Sequence, residues 1–173
     1  MTASVFCGVS LDGFIARLND DLDFLDEGGS EPHGFEEFIG SVDVVVMGRR
    51  TYEKVLTFGE WPFGPMRVVV LSSTPVDLAA AGGNVERMGG TPADVLAQLE
   101  ASGSKHAYID GGVTVQRFLS AGLIDRLIVT RVPVLIGEGI PLFGPLPHDV
   151  KLLHVATRQY KTGLVQSEYK VVK

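Results

Sequence analysis

Cysteine is nearly absent. Cys7 is the only one in 173 residues, so no disulfide can form within the chain, and a reducing compartment, the cytoplasm, is the expected location. Cationic residues are also in deficit: Lys and Arg number 15 against 21 Asp and Glu, a formal net charge of −6. That excludes the broad basic face on which general nucleic-acid binding depends. No apolar run approaches the ~18 residues of a membrane span. The opening "MTASVFCGVS" has neither a basic n-region nor a long apolar core, so no signal peptide is expected. Several chemical signatures are missing as well. There is no G-x-G-x-x-G and no G-x-x-x-x-G-K-[ST], which removes the usual Rossmann fingerprint and the P-loop. There is no G-x-S-x-G nucleophile elbow. There is no C-x-x-C, and His33, His106, His148 and His154 lack metal-ligand spacing, so no metal is expected.

What is present reads as one soluble domain spanning residues 1–173, with 45% hydrophobic and 21% charged residues. Short apolar runs alternate with helical patterns. Strands are expected at "SVFCGV" (Ser4–Val9), "DVVVMG" (Asp43–Gly48), "RVVVLSS" (Arg67–Ser73), "HAYID" (His106–Asp110) and "DRLIVTRVPVLI" (Asp125–Ile136). Runs without polar alternation point to strands covered on both faces, as in a mostly parallel sheet. "TPADVLAQLEASG" is the clearest helix: Thr91 caps it, Pro92 suits its first position, Asp94 completes the capping box and Gly103 ends it. "VTVQRFLSAG" and "RRTYEKVL" carry apolar residues at helical spacing, and "GFEEFIGS" (Gly34–Ser41) is a shorter helix. The end, "KLLHVATRQYKTGLVQSEYKVV", reads as an antiparallel hairpin turning at Lys161-Thr162-Gly163. The fold class is α/β with a mixed sheet. The acidic, glycine-containing stretch Asn19–Pro32 is expected to be a loop.

Three strand exits carry nucleotide chemistry. Ligands of open α/β sheets lie beyond the C-terminal strand ends. After the second strand comes "MGRRTYE", after the third "LSSTP", after the next "YIDGGVTV". Each has a plainer reading: arginines on a surface, hydroxyls capping a turn, glycines reaching positive φ between strand and helix. Taken together they form a phosphate cradle. Arginine grips phosphate through a planar fork. Hydroxyls and the free N–H groups of a helix start complete it. A second arginine suits the 2′-phosphate that distinguishes NADP from NAD.

"SLDGFIA", "VDVVVMGRRTYE", "VVVLSS", "YIDGG" and "VPVLIGEGIPLF" occur in that order over most of the chain. The sequence thereby resembles the dihydrofolate reductase-like superfamily, and more closely the branch holding the riboflavin-pathway reductase domain. The resemblance implies a mixed, mostly parallel central sheet flanked by helices, with a C-terminal antiparallel hairpin. It implies NADPH as cofactor, a small-molecule substrate and a homodimer. Ile15 and Ala16 match the positions beside the nicotinamide. Gly48, Arg49, Arg50 and Thr51 match the phosphate-binding helix start, with Arg49 toward the 2′-phosphate. Leu71, Ser72 and Ser73 match the adenosine side. Gly111 and Gly112 match a glycine pair that dihydrofolate reductases join by a cis peptide bond, and Val113, Thr114 and Val115 the helix start after it. Thr130 and, in the glycine-rich bend, Glu138 match the substrate side.

The departures are also informative. Folate reductases carry a third glycine and an arginine at the glycine pair, where this chain has Asp110 before it and Val113 after it. No clean match exists for the pterin-binding carboxylate of the first helix; Asp21, Asp23, Glu31, Glu36 and Glu37 lie nearby. The proton donor is read as a water activated by Asp12 or Asp23, with Asp12 alternatively holding its loop through backbone amides. Trp61 is expected over the cofactor edge or at a subunit contact. The implied function is NADPH-dependent hydride transfer to a heteroaromatic or imine-containing small molecule, pyrimidine- or pterin-like, as in 5-amino-6-(5-phosphoribosylamino)uracil reductase. The alternatives are a non-catalytic NADPH-binding module and a true dihydrofolate reductase. A third, weaker reading is a single-purpose riboflavin enzyme; against it stands the absence of the H-x-E and P-C-x-x-C deaminase pattern, which leaves a free-standing reductase open.

Overall fold

A computed structural model describes residues 1–28 and 31–173; Gly29 and Ser30, inside the expected acidic loop, lie outside the described residues. Among the described residues ten strands form: β1 (Thr2–Ser10), β2 (Phe14–Ala16), β3 (Val44–Gly48), β4 (Arg67–Leu71), β5 (Val85–Met88), β6 (His106–Asp110), β7 (Arg126–Val132), β8 (Ile140–Pro141), β9 (Leu152–Gln159) and β10 (Val165–Val171). Four α-helices accompany them: α1 (Phe35–Ile39), α2 (Arg49–Val55), α3 (Pro92–Ala101) and α4 (Gly112–Ser120). Eight strands make one sheet in the order β5-β4-β3-β6-β1-β7-β10-β9. Its first six strands run parallel, and β10 is antiparallel to both β7 and β9. β2 and β8 pair separately.

The continuous apolar runs are explained by a core on each side of the sheet. On one face Val5, Cys7, Val44, Val46, Ala107, Ile109 and Val129 pack under α3 and α4, through Val95, Leu99, Val115 and Phe118. On the other, Phe6, Val45, Met47, Tyr108 and Ile128 pack under α1 and α2, through Phe38, Tyr52 and Val55. Successive strand residues alternate between these layers, so the central residues of β3, β4 and β6 are buried on both faces. The Thr91 box forms as read: its hydroxyl accepts from the Asp94 amide at 3.2 Å, and Asp94 accepts from the Thr91 amide at 2.9 Å.

Four elements depart from expectation. β5 is an edge strand whose Glu86 and Arg87 dilute its apolar signal. β2 and β8 are too short for any periodicity. The long run through Ile136 stops as strand at Val132, before Pro133. Among the described residues, no helix is long and apolar enough to cross a membrane.

Candidate active site

The sheet has a switch point between β3 and β6. From β3 the chain passes through α2, on one face, to β4; from β6 it passes through α4, on the other face, to β7 beyond β1. The diverging connections leave a crevice at the C-terminal strand ends, where α/β sheets bind ligands. A cavity of about 500 Å³ occupies it.

Eleven of the residues singled out from sequence line this cavity: Ile15, Ala16, Gly48, Arg49, Arg50, Thr51, Leu71, Gly111, Gly112, Val113 and Thr114. The others stand apart from its wall. Val115 is wholly buried in the core under α4. Ser72 folds its turn inward, its hydroxyl donating to the Thr74 carbonyl at 2.7 Å, and Ser73 is likewise outside the wall. Arg49 donates to the Thr74 hydroxyl at 3.1 Å and Arg87 to the Ser72 carbonyl at 3.1 Å, so two guanidinium groups bracket that turn. Thr130 is buried and accepts from Gln166 Nε2 at 2.9 Å; the same amide nitrogen lies 2.9 Å from the His33 carbonyl oxygen. Glu138 is exposed. Asp12 accepts from the Gly137 amide at 2.8 Å and the Ile136 amide at 3.3 Å, and the Ser10 hydroxyl is the main cause that holds its carboxyl below the usual range. Asp23 pairs with Arg17 at 2.5 Å, and that bond keeps its carboxyl low. Neither aspartate reaches the cavity. Trp61 packs within its own chain, its ring 6.0 Å from that of Tyr52 and 5.3 Å from that of Phe63.

The glycine pair has a reason that the sequence did not reveal. There is no cis bond at the pair; all described peptide bonds are trans. Gly111 takes φ 91°, a left-handed-side conformation that side chains disfavour, and a Cβ there would collide with the Thr51 hydroxyl. A Cβ on Gly112 would press on Pro141 O at 3.1 Å and on Ile15 Cγ2 and Ile140 Cγ2 at 3.2 Å each. The two glycines therefore let the starts of α2 and α4 and the β2–β8 pair close around one point.

The residue that composition and motif left unassigned is Asp110. It ends β6 and faces the cavity directly before the glycines. Burial pushes its carboxyl up to about 6, opposed by a hydrogen bond from the Gly111 amide at 2.8 Å. Beside it lie Cys7 and Tyr108, both raised above their ordinary values by burial first and by the Asp110 charge second; the Tyr108 hydroxyl donates to the Phe6 carbonyl at 2.9 Å. A carboxyl held at about 6 on the cavity wall is poised to exchange a proton near neutrality. Phe6, Leu25, His33, Phe35, Val55, Phe58 and Tyr108 wall the space in front of it. The exposed Glu36 and Glu37 belong to α1, which turns Phe35 inward instead. The only hint in the sequence was the departure itself, an acid where folate reductases have none.

The dinucleotide expected from sequence fits this donor set. α4 opens at Gly112 with unpaired N–H groups at the crevice. Arg49 and Arg50 face it from α2 and Arg117 from α4, and Ile15 and Ile140 give an apolar flank.

The solved structure of a putative riboflavin biosynthesis protein from Shewanella sp. PV-4 is 37% identical, with a TM-score of 0.92 and full coverage of both chains. The uncharacterized protein YwjB of Bacillus subtilis is 34% identical over 160 residues, 90% of each chain. Dihydrofolate reductase from Enterococcus faecalis, solved with NADP(H), superposes with a TM-score of 0.66 at 20% identity, over 99% of this chain and 97% of that one; the fold is dihydrofolate reductase-like. The model of the RibD C-terminal domain matches residues 3–166, and the chain belongs to that family.

Proposed function

We propose that this protein is an NADPH-dependent reductase acting on a small heteroaromatic or imine-containing ring of pyrimidine or pterin type. The observation that carries the reading is the crevice itself: arginines from one helix and free amides from the next face each other across a cavity whose floor holds one raised carboxyl. The family supports reductase chemistry, and the NADP(H) complex of the folate reductase likeness supports the cofactor.

When bound, NADPH supplies a hydride. The chain's residues do the rest. Arg49, Arg50 and the first amides of α4 hold phosphates. The backbone at Ile15 and Ala16, which line the cavity, would flank the nicotinamide end of the cofactor. Phe6, Phe35 and Tyr108 exclude water and align the ring, and such positioning offsets on the order of 7–11 kcal/mol of barrier. Asp110 would give its proton to the ring nitrogen of a C=N group being reduced, and water would reprotonate the carboxylate. Asp110 replaces Asp12 and Asp23 in this role, because both of those spend their oxygens outside the cavity.

Titrating the protein with NADPH and NADH tests the reading. NADPH should bind more tightly, and Arg49→Ala should cost NADPH affinity roughly 10–100-fold while changing NADH little, the range of a lost charge-assisted hydrogen bond. Equal losses for both cofactors would show that Arg49 does not read the 2′-phosphate. Tight NADPH binding with no turnover on any pyrimidine or pterin would instead favour a binding module.

A further inference from the structure

Resting on the reductase reading above, we infer that the substrate is a phosphate-free planar ring, neutral or cationic, which presents N–H groups to Asp110. The cavity has two ends of different chemistry. Arg49 and Arg50 stand at the start of α2, and Arg117 lies on α4 four residues after Val113, on the same helix face. These three cations attend the dinucleotide. The other end, between β1, α1 and the last turn of α2, is walled by Phe6, Leu25, Phe35, Val55, Phe58 and Tyr108.

Among the described residues, Lys54 is the one Lys or Arg at that second end, and it is already engaged. Its ammonium lies 2.9 Å from Asp21 Oδ1 with only 25% of the side chain exposed, and the bond holds the Asp21 carboxyl below its usual range. The segment that lines the cavity through Asp20, Leu22 and Leu25 carries Asp20, Asp21, Asp23 and Asp26 against Arg17 alone. Asp20 is tied to Arg50 at 2.8 Å and Asp23 to Arg17 at 2.5 Å. A phosphate dianion seated here must take Lys54 from Asp21 and leave that carboxylate beside it without its cation, a juxtaposition of like charges that disfavours binding. Asp110 offers the opposite match. Ionised, its oxygens only accept hydrogen bonds; protonated, it both donates and accepts. An amino-substituted ring with an adjacent ring nitrogen satisfies either form, and the aromatic walls take its flat faces.

The test uses full-length protein saturated with NADPH and a matched pair of probes, a ribosylaminopyrimidine and its 5′-phosphate, with binding read by calorimetry and turnover by cofactor oxidation. The phosphate-free member should bind at least about ten-fold more tightly, the equivalent of ~1.4 kcal/mol. Asp21→Asn, which releases Lys54, should improve binding of the phosphate ester several-fold and leave the phosphate-free probe unchanged. Equal or tighter binding of the phosphate ester by the unaltered protein overturns the inference, as does an Asp21→Asn variant that gains nothing for the ester. Binding of neither probe to protein that holds NADPH overturns it and leaves the cofactor reading standing. Failure to bind NADPH at all removes both.

Discussion

Asp110 is costly where it stands. Its carboxyl is raised from 3.8 to about 6, so the folded chain holds its proton more tightly than the unfolded chain does. The sign of the linkage follows: stability contributed by the neutral acid is fully present below pH ~3.8 and is lost as pH rises through about 6. At neutral pH the group is a net destabiliser, which fits a residue kept for chemistry rather than for folding. Asp110→Asn retains an oxygen for the Gly111 amide and removes the charge. It should raise stability at pH 7.5 by about 1–2 kcal/mol, less than the full shift because the group partly faces the cavity, and thermal unfolding measured across pH 4–8 reads this directly. The same variant should lose roughly 10²-fold or more of turnover, the usual contribution of a general acid, and the rate of the unaltered protein should fall as pH rises through about 6. A variant that gains stability yet keeps its full rate would leave Asp110 with no part in proton transfer.

The loop over the cavity is an element-scale device. Asp20 and Asp21, on the segment after β2, reach across to Arg50 and Lys54 of α2. The Arg50 pair is largely exposed, so it contributes little to stability, about 0–1 kcal/mol. On the proposed cofactor reading its consequence is competition, because a cofactor phosphate would meet the guanidinium that Asp20 holds. Asp20→Asn should therefore strengthen NADPH binding several-fold in an equilibrium titration while the melting temperature moves by no more than about 3 °C; unchanged affinity would mean that Arg50 does not meet the cofactor. These contacts explain what sequence could and could not convey. β3, β4, β6 and α3 were legible because burial on both faces and a capping box are local patterns. β5 was not, since a sheet-edge strand with Glu86 and Arg87 has no distinctive local signal. That three strand exits meet at one cavity was legible from their chemistry. Asp110 was not recognised as part of its wall, nor Arg117 and Lys54 as lining it, because their roles arise only when β6, α4 and α2 converge in space. The glycine pair was located correctly and explained incompletely: Thr51, 60 positions earlier in sequence, supplies the crowding.

At the scale of the whole molecule, the sheet ends unequally. β5 lies under the turn that follows β4, whereas β9 is exposed along nearly its whole length, with Leu152, Leu153 and Val155 42%, 59% and 45% exposed. Helices cover the parallel part of the sheet, but the hairpin continues beyond them. A bare edge strand with leucines on both faces invites pairing. The occupant we propose is a second copy of this chain, giving the homodimer expected from the family resemblance. The charges permit it: antiparallel pairing of Val155 with Ala156 of the second copy sets Leu153 against Arg158 and His154 against Thr157, so no two cations of β9 face each other, and the isologous contact closes on itself. No β9 residue lines the cavity, so association and cofactor binding are separable. Sedimentation equilibrium should find a dimer. Leu153→Lys and Val155→Lys, which place charge on the edge, should yield monomers that keep native circular dichroism and NADPH affinity. A chain that is monomeric at ~100 μM, well above a dissociation constant in the micromolar range, or a dimer indifferent to both lysines, would leave β9 without a self-association role.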